Sequence, residues 1–136
     1  MSAEPFCMAQ GTFDIRMAPH APTEASTPAI SRLHFDKTWT GDLSGHSQGE
    51  FLSCGDPGSG TAAYVVLEVF TGTLHGRPGQ FTLHQYGTLV QGQQTLQYKI
   101  VPGSGQGELT GLTGTLELGL AERVHQYTLA FQELRP

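Results

Sequence analysis

The chain has 136 residues, enough for one ordinary domain and too few for two. Charged residues make up 14% of it against a usual ~25%, and 18 positions are glycine. Its net charge of −5 lies entirely in residues 1–68, so no basic patch exists to neutralise phosphates and nucleic acid is disfavoured as a partner.

No run of about 18 apolar residues is present, which argues against a membrane span. Met1–Gln10 lacks the charged and apolar regions of a secretory signal, so a cytoplasmic protein is expected. Two cysteines, Cys7 and Cys54, are too few for a disulfide or metal framework and are expected to be free thiols.

Residues 1–8 read as a flexible tail and 9–136 as a single domain. Phe13, Ile15 and Met17 alternate with Thr12, Asp14 and Arg16, the period of a half-buried strand. Residues 18–29, rich in Pro, Ala, Ser and Thr, read as a loop. Leu33, Phe35, Lys37 and Trp39 then alternate with Arg32, His34, Asp36 and Thr38. Further strands are expected at 46–54, 61–74, 80–90, 94–101, 113–120 and 124–132, separated by Gly-rich turns.

Near the C-terminus, Leu120, Val124, Tyr127, Phe131 and Leu134 also fit a helical period. A hairpin turning at Ala121–Arg123 is preferred, because Tyr127 and Thr128 favour strand. Eight strands without a secure helix imply an all-β antiparallel sheet. Closure into a barrel would remove its exposed edges.

Gly45-His46-Ser47-Gln48-Gly49 matches the G-x-S-x-G nucleophile elbow letter for letter. That elbow requires a parallel strand before it and a helix after it, whereas a strand follows here, so a hairpin reading is preferred. Six histidines include neither H-x-H nor H-E-x-x-H, and no metal is expected. Gly103–Gly107 lacks the Lys and helix of a phosphate loop and reads as a turn.

Charges placed on apolar faces are more informative. Glu68 lies between Val66 and Phe70, and Lys37 is the only charge among Leu33, Phe35 and Trp39. A turn at Leu43-Ser44 sets Lys37 opposite Glu50, and one centred on Ser59 sets Glu50 opposite Glu68. Turns at Gly76-Arg77 and Gly92-Gln93 add Gln85 and bring Tyr98 opposite Gly87, within two rows. In this register Lys37, Glu50, Glu68 and Gln85 form one row inside an apolar face. Glu50 and Glu68 are the candidate catalytic carboxylates; Lys37, Tyr64, Gln85 and Tyr98 are candidate ligand contacts. Burial and the like charge of Glu50 should favour a protonated Glu68, able to donate to a carbonyl, epoxide or enolate oxygen. The bland reading is a buried structural ion pair between Lys37 and one carboxylate.

The segments 36–55 (DKTWTGDLSGHSQGEFLSCG), 64–83 (YVVLEVFTGTLHGRPGQFTL), 101–118 (VPGSGQGELTGLTGTLEL) and 125–131 (HQYTLAF) resemble family 3224 of the domains of unknown function. That family is similar in fold to allene oxide cyclase, which implies a closed eight-stranded barrel with a central cavity. Relatives often carry Gln-His-Ser-Gly where this chain has His84-Gln85-Tyr86-Gly87. If that histidine is a base in relatives, the role is lost here and His84 points to the opposite face. The resemblance establishes no activity, because one fold hosts many functions.

Three readings follow. The barrel binds a small hydrophobic ligand in its interior, or it is a cofactor-free isomerase or cyclase resembling allene oxide cyclase, or it is a filled structural barrel. No cofactor is expected in any of them. Val65, Leu67 and Val69 should face outward on the Glu68 strand, and a homo-oligomer covering that stripe is expected.

Overall fold

Period-2 alternation becomes nine antiparallel strands in a computed structural model that describes residues 7–19 and 29–132. They are β1 (Cys7–Pro19), β2 (Ser31–Gly41), β3 (Leu43–Asp56), β4 (Thr61–Leu74), β5 (Arg77–Val90), β6 (Gln93–Ile100), β7 (Gln106–Gly107), β8 (Thr113–Ala121) and β9 (Val124–Gln132). Neighbours run β4-β3-β2-β1-β9-β8-β6-β5, and β5 pairs back onto β4. Eight strands therefore close a barrel, and the two-residue β7 is an extra rung on β5. Closure leaves no long edge to be shielded.

Two residues of the expected tail belong to a strand. Cys7 and Met8 already pair with Phe131 and Ala130, while residues 1–6 lie outside the described residues. Ala18 and Pro19 continue β1, and residues 20–28 of the expected loop also lie outside the described residues. The hairpin reading of the C-terminal segment holds: β8 and β9 turn at Glu122-Arg123, with Ala121 opposite Val124. Both cysteines are free and exposed. Among the described residues no helix is long and apolar enough to cross a membrane.

Inward-facing residues divide the barrel along its axis. At one end Trp39, Leu43, Phe70, Leu74, Phe81, Leu109, Leu112, Tyr127, Leu129 and Phe131 are buried together. Trp39 meets Phe70 and Tyr127 edge-on, and Phe70 stacks on Phe81. The segment 101–112 lids this end: Leu109 and Leu112 are its apolar contribution, and Ser104 Oγ accepts from the Thr82 amide at 3.0 Å. Pro102 and Gly103 form a turn of that lid, whereas Gln106 and Gly107, expected to belong to the same turn, are the β7 rung paired with Gln80 and Gly79. Tyr127 Oη accepts from the Leu43 amide at 2.8 Å, which ties β9 to the β2–β3 corner.

Outward, Val65, Leu67 and Val69 are 53%, 61% and 40% exposed, as their alternation with the Glu68 face requires. With Arg32, Glu50, Leu52 and Tyr86 they line a groove of about 710 Å³ on the outer wall.

Candidate functional site

At the end opposite the aromatic plug the interior is not filled. A cleft of about 260 Å³ opens there, walled by Phe13, Ile15, Met17, Phe35, Phe51, Val66 and Leu118, with Lys37, Tyr64, Gln85 and His125 as its polar lining. His125 lies face to face with Phe13, ring centroids 5.0 Å apart. Lys37 forms part of the floor, where the open half meets the packed half.

The floor is a hydrogen-bonded chain. Lys37 Nζ donates to Glu68 Oε1 at 3.1 Å and to the Tyr98 hydroxyl at 3.0 Å. Tyr98 donates in turn to the same carboxylate oxygen through a very short hydrogen bond. Ser47 Oγ donates to Glu68 Oε2 at 2.7 Å and accepts from Trp39 Nε1 at 2.9 Å. Three donors thus converge on the two oxygens of Glu68, and among the described residues no buried side-chain polar atom lacks a partner. That satisfaction lets a carboxylate and an ammonium persist at 1% and 4% exposure.

Four aromatic rings also surround the ammonium. Lys37 Nζ lies 4.6 Å from the centroid of Phe13, 5.2 Å from Trp39 and Tyr98, and 5.3 Å from Phe35. All are within cation–π reach. Burial pushes the Lys37 amine below its usual range, and Glu68 opposes that shift by charge and hydrogen bond. Burial pushes the Tyr98 hydroxyl well above its usual range, and the neighbouring carboxylate adds to the effect.

Above the floor, a second polar pair climbs the wall. Gln85 lies directly across from Tyr98 on β6 and from Val66 on β4. Its amide donates to the Tyr64 hydroxyl at 3.0 Å, and Tyr64 stacks on Phe51 at 5.1 Å. A tyrosine hydroxyl that accepts one bond still has its own hydrogen to give. Two glycines make room for these side chains. A Cβ on Gly49, opposite Glu68, would stand 2.5 Å from the Phe35 ring and 2.6 Å from Glu68 Cβ; one on Gly87 would stand 2.8 Å from the Tyr64 ring.

The sequence-derived row is therefore assembled in part. Lys37, Tyr64 and Gln85 line the cleft. Glu68 and Tyr98 lie beneath Lys37, as its anchors rather than as part of the wall. Glu50 is not in the row at all. It pairs with Leu67 and His34 on the outer face, where its carboxylate takes a 2.6 Å ion pair from Arg32. Residue 47, not 50, stands opposite Lys37, and residue 49, not 50, stands opposite Glu68. The like charge expected to favour a protonated Glu68 is absent from the face, and three donors occupy its place.

Tyr98 faces Gln85 rather than Gly87, and Glu68 faces Leu83 rather than Gln85; both shifts are by two residues and keep the face. His84 lies on the outer face, across from Leu67, as the exchanged His-Gln order suggests. Two contributors were missed in the sequence. Ser47 and the Trp39 indole complete the hydrogen-bonded floor, and Ser47 is the serine of the rejected elbow motif, here between Gly45 and Gly49 on an antiparallel strand.

These features define a closed eight-stranded barrel, plugged with aromatics at one end and open at the other to an apolar cleft floored by a buried ion pair. The chain belongs to the family described as protein of unknown function (DUF3224), whose model matches residues 9–131. It is also similar to a crystal structure of a DUF3224-family protein of unknown function from Shewanella oneidensis MR-1. The two share 35% identity over 96% of this chain and 99% of that one, with a TM-score of 0.86. A comparison with curated proteins finds no match.

Proposed function

We propose that this barrel binds a small, neutral, largely apolar molecule bearing one carbonyl or hydroxyl group. The observation that carries the reading is the half-filled interior: an apolar cleft with four polar side chains, Lys37, Tyr64, Gln85 and His125, in its lining. Ligand sites combine mostly apolar walls with a few placed polar groups in just this way. At about 260 Å³ the cleft lies at or below the lower end of the usual ~300–1,000 Å³ range, which suits a single ring with a short substituent.

Charge balance sets the ligand's charge. Glu68 already neutralises Lys37, so a carboxylate entering the cleft would bring an unpaired buried charge. A neutral carbonyl or hydroxyl can instead take a hydrogen bond from Tyr64 without disturbing the floor. The test is protein-observed NMR with paired probes, benzyl alcohol and acetophenone against benzoate. Shifts confined to cleft residues for the neutral pair, weakened by Leu118→Trp, support the reading. Tighter binding of benzoate, or no binding of any probe, overturns it.

Association of copies through the β3–β4–β5 wall belongs to the same proposal. The exposed Val65, Leu67 and Val69 stripe is bordered by Arg32 and Glu50, which already pair with each other. A second copy related by a twofold axis presents the same apolar stripe and the opposite order of charges, a self-complementary arrangement. Light scattering should return a multimer, and Leu67→Lys should return the ~15 kDa monomer expected for a chain of 14.6 kDa.

A further inference from the structure

We propose that Lys37 condenses with the carbonyl carbon of an aldehyde or ketone held in the cleft, forming a Schiff base. This deepens the binding reading above and rests on it. The chain contains two lysines, Lys37 and Lys99, and only the first has its ammonium inside the barrel. A purely structural ion pair would be enclosed by packing on every side. This one is enclosed below by Trp39 and Tyr98, while the Lys37 side chain forms floor to an open cleft above.

The chemistry needs an uncharged amine, a nearby base and a site poor in water. Burial among Phe13, Phe35 and Trp39 favours the uncharged amine, as in other lysines that act as nucleophiles from apolar pockets. Glu68 Oε1, 3.1 Å from Nζ, is the base, and Ser47 and Tyr98 fix its orientation. The Lys37 ammonium gives a proton to Glu68. The amine lone pair then forms the C–N bond while the carbonyl π pair moves to oxygen. That oxygen takes the proton leaving nitrogen, which gives a neutral carbinolamine. Glu68 returns its proton to the hydroxyl, the C–O bond breaks and water departs. The product is an iminium cation beside the Glu68 carboxylate, so the buried pair ends as it began, one cation beside one anion, with a net charge of zero at every step.

The experiment is reductive trapping of the full-length protein with benzaldehyde and sodium cyanoborohydride near neutral pH, with the added mass located by peptide mapping. Three amines compete: Lys37, Lys99 and the chain's amino terminus. Lys37 should be alkylated at least about tenfold faster than exposed Lys99, because only Lys37 has a base and a binding site beside it. Lys37→Met should lose that label. In case this variant does not fold, Ile15→Trp narrows the cleft while keeping the ion pair, and should slow labelling of residue 37 to the rate of Lys99 or below. If benzyl alcohol binds the cleft yet Lys37 stays unlabelled while Lys99 reacts, the Schiff-base proposal fails and the binding reading stands. If neither binding nor labelling occurs, both fail.

Discussion

The two halves of the barrel interior are built on the same eight strands yet solve opposite problems. The half around Trp39, Phe70, Phe81 and Tyr127 is packed ring against ring and lidded by Leu109 and Leu112. The half around Ile15, Phe51, Tyr64 and Leu118 leaves a cleft. Where the two meet, the protein places its only buried ion pair among the described residues. Stability is concentrated on one side of that pair and chemical opportunity on the other. A residue's contribution should therefore depend on which side of Lys37 it occupies.

The largest contrast should come from aromatic truncation. Trp39→Ala removes a side chain in contact with Phe13, Phe70 and Tyr127 and leaves Ser47 without its indole donor. It should cost about 3–5 kcal/mol in urea denaturation. Phe51→Ala, on the half-buried cleft wall, should cost no more than about 2 kcal/mol. Equal costs would mean that the open half is as tightly packed as the plug.

The boundary can be broken from either charge. Glu68→Leu strands a buried ammonium with no counter-charge and should destabilise the fold by about 3–5 kcal/mol. Adding Lys37→Met should restore most of that loss, because two apolar groups replace two charges. If the double variant is as unstable as the single one, the network matters for its hydrogen bonds more than for its charge balance.

Alkaline titration sharpens the same boundary. The Lys37 amine is lowered in the folded protein, by burial first and against the pull of Glu68. From that lowered value up to the unfolded value near 10.5, the unfolded chain binds more protons and stability rises with pH. Tyr98 works in the opposite sense. Its hydroxyl is raised by burial first, so the stability it contributes is intact below about 10 and is lost as pH climbs toward its folded value. Tyr64 and Tyr127 add to that fall, both raised by burial. Urea midpoints measured from pH 8 to 11 should therefore rise and then drop. Lys37→Met should remove the rise, and Tyr98→Phe should soften the drop.

How much of this was legible in the sequence depended on turns rather than on strands. Period-2 alternation placed every long strand, because one face of each is buried. Which residues meet across strands depended on where each turn is centred. The turns at His75-Gly76 and Gln91-Gly92 were expected one residue late, which slides the register by two and keeps each face. Gln85 and Tyr98 therefore stayed inside. The β2–β3 corner turns at Asp42, with Gly41 at φ +112°, and the β3–β4 loop is a 3-10 turn held by Asp56 Oδ1 on the Gly58 amide. Both corners slide the register by an odd number, three and one, and that sends Glu50 to the surface and puts Ser47 in the row. Nothing in the alternation pattern distinguishes odd from even. A feature that could have done so is Gly49, since a bulky Glu68 needs a partner without a Cβ.

The smallest expected effect concerns the rim of the open half, where a turn can be improved without touching the cleft. Glu122 and Arg123 join β8 to β9 with φ of 51° and 69°, a two-residue turn in which both positions are left-handed. The comparable turns His75-Gly76 and Gln91-Gly92 place glycine second, where it bears no steric cost. Arg123→Gly relieves a strained position but gives the unfolded chain more freedom to lose, so the net gain should be about 0.5 kcal/mol. Urea denaturation measures it, and probe binding in the cleft should be unchanged, since Arg123 does not line it. A loss of stability would show that the arginine side chain holds this turn in place. A loss of binding would show that the rim shapes the open half from outside its walls.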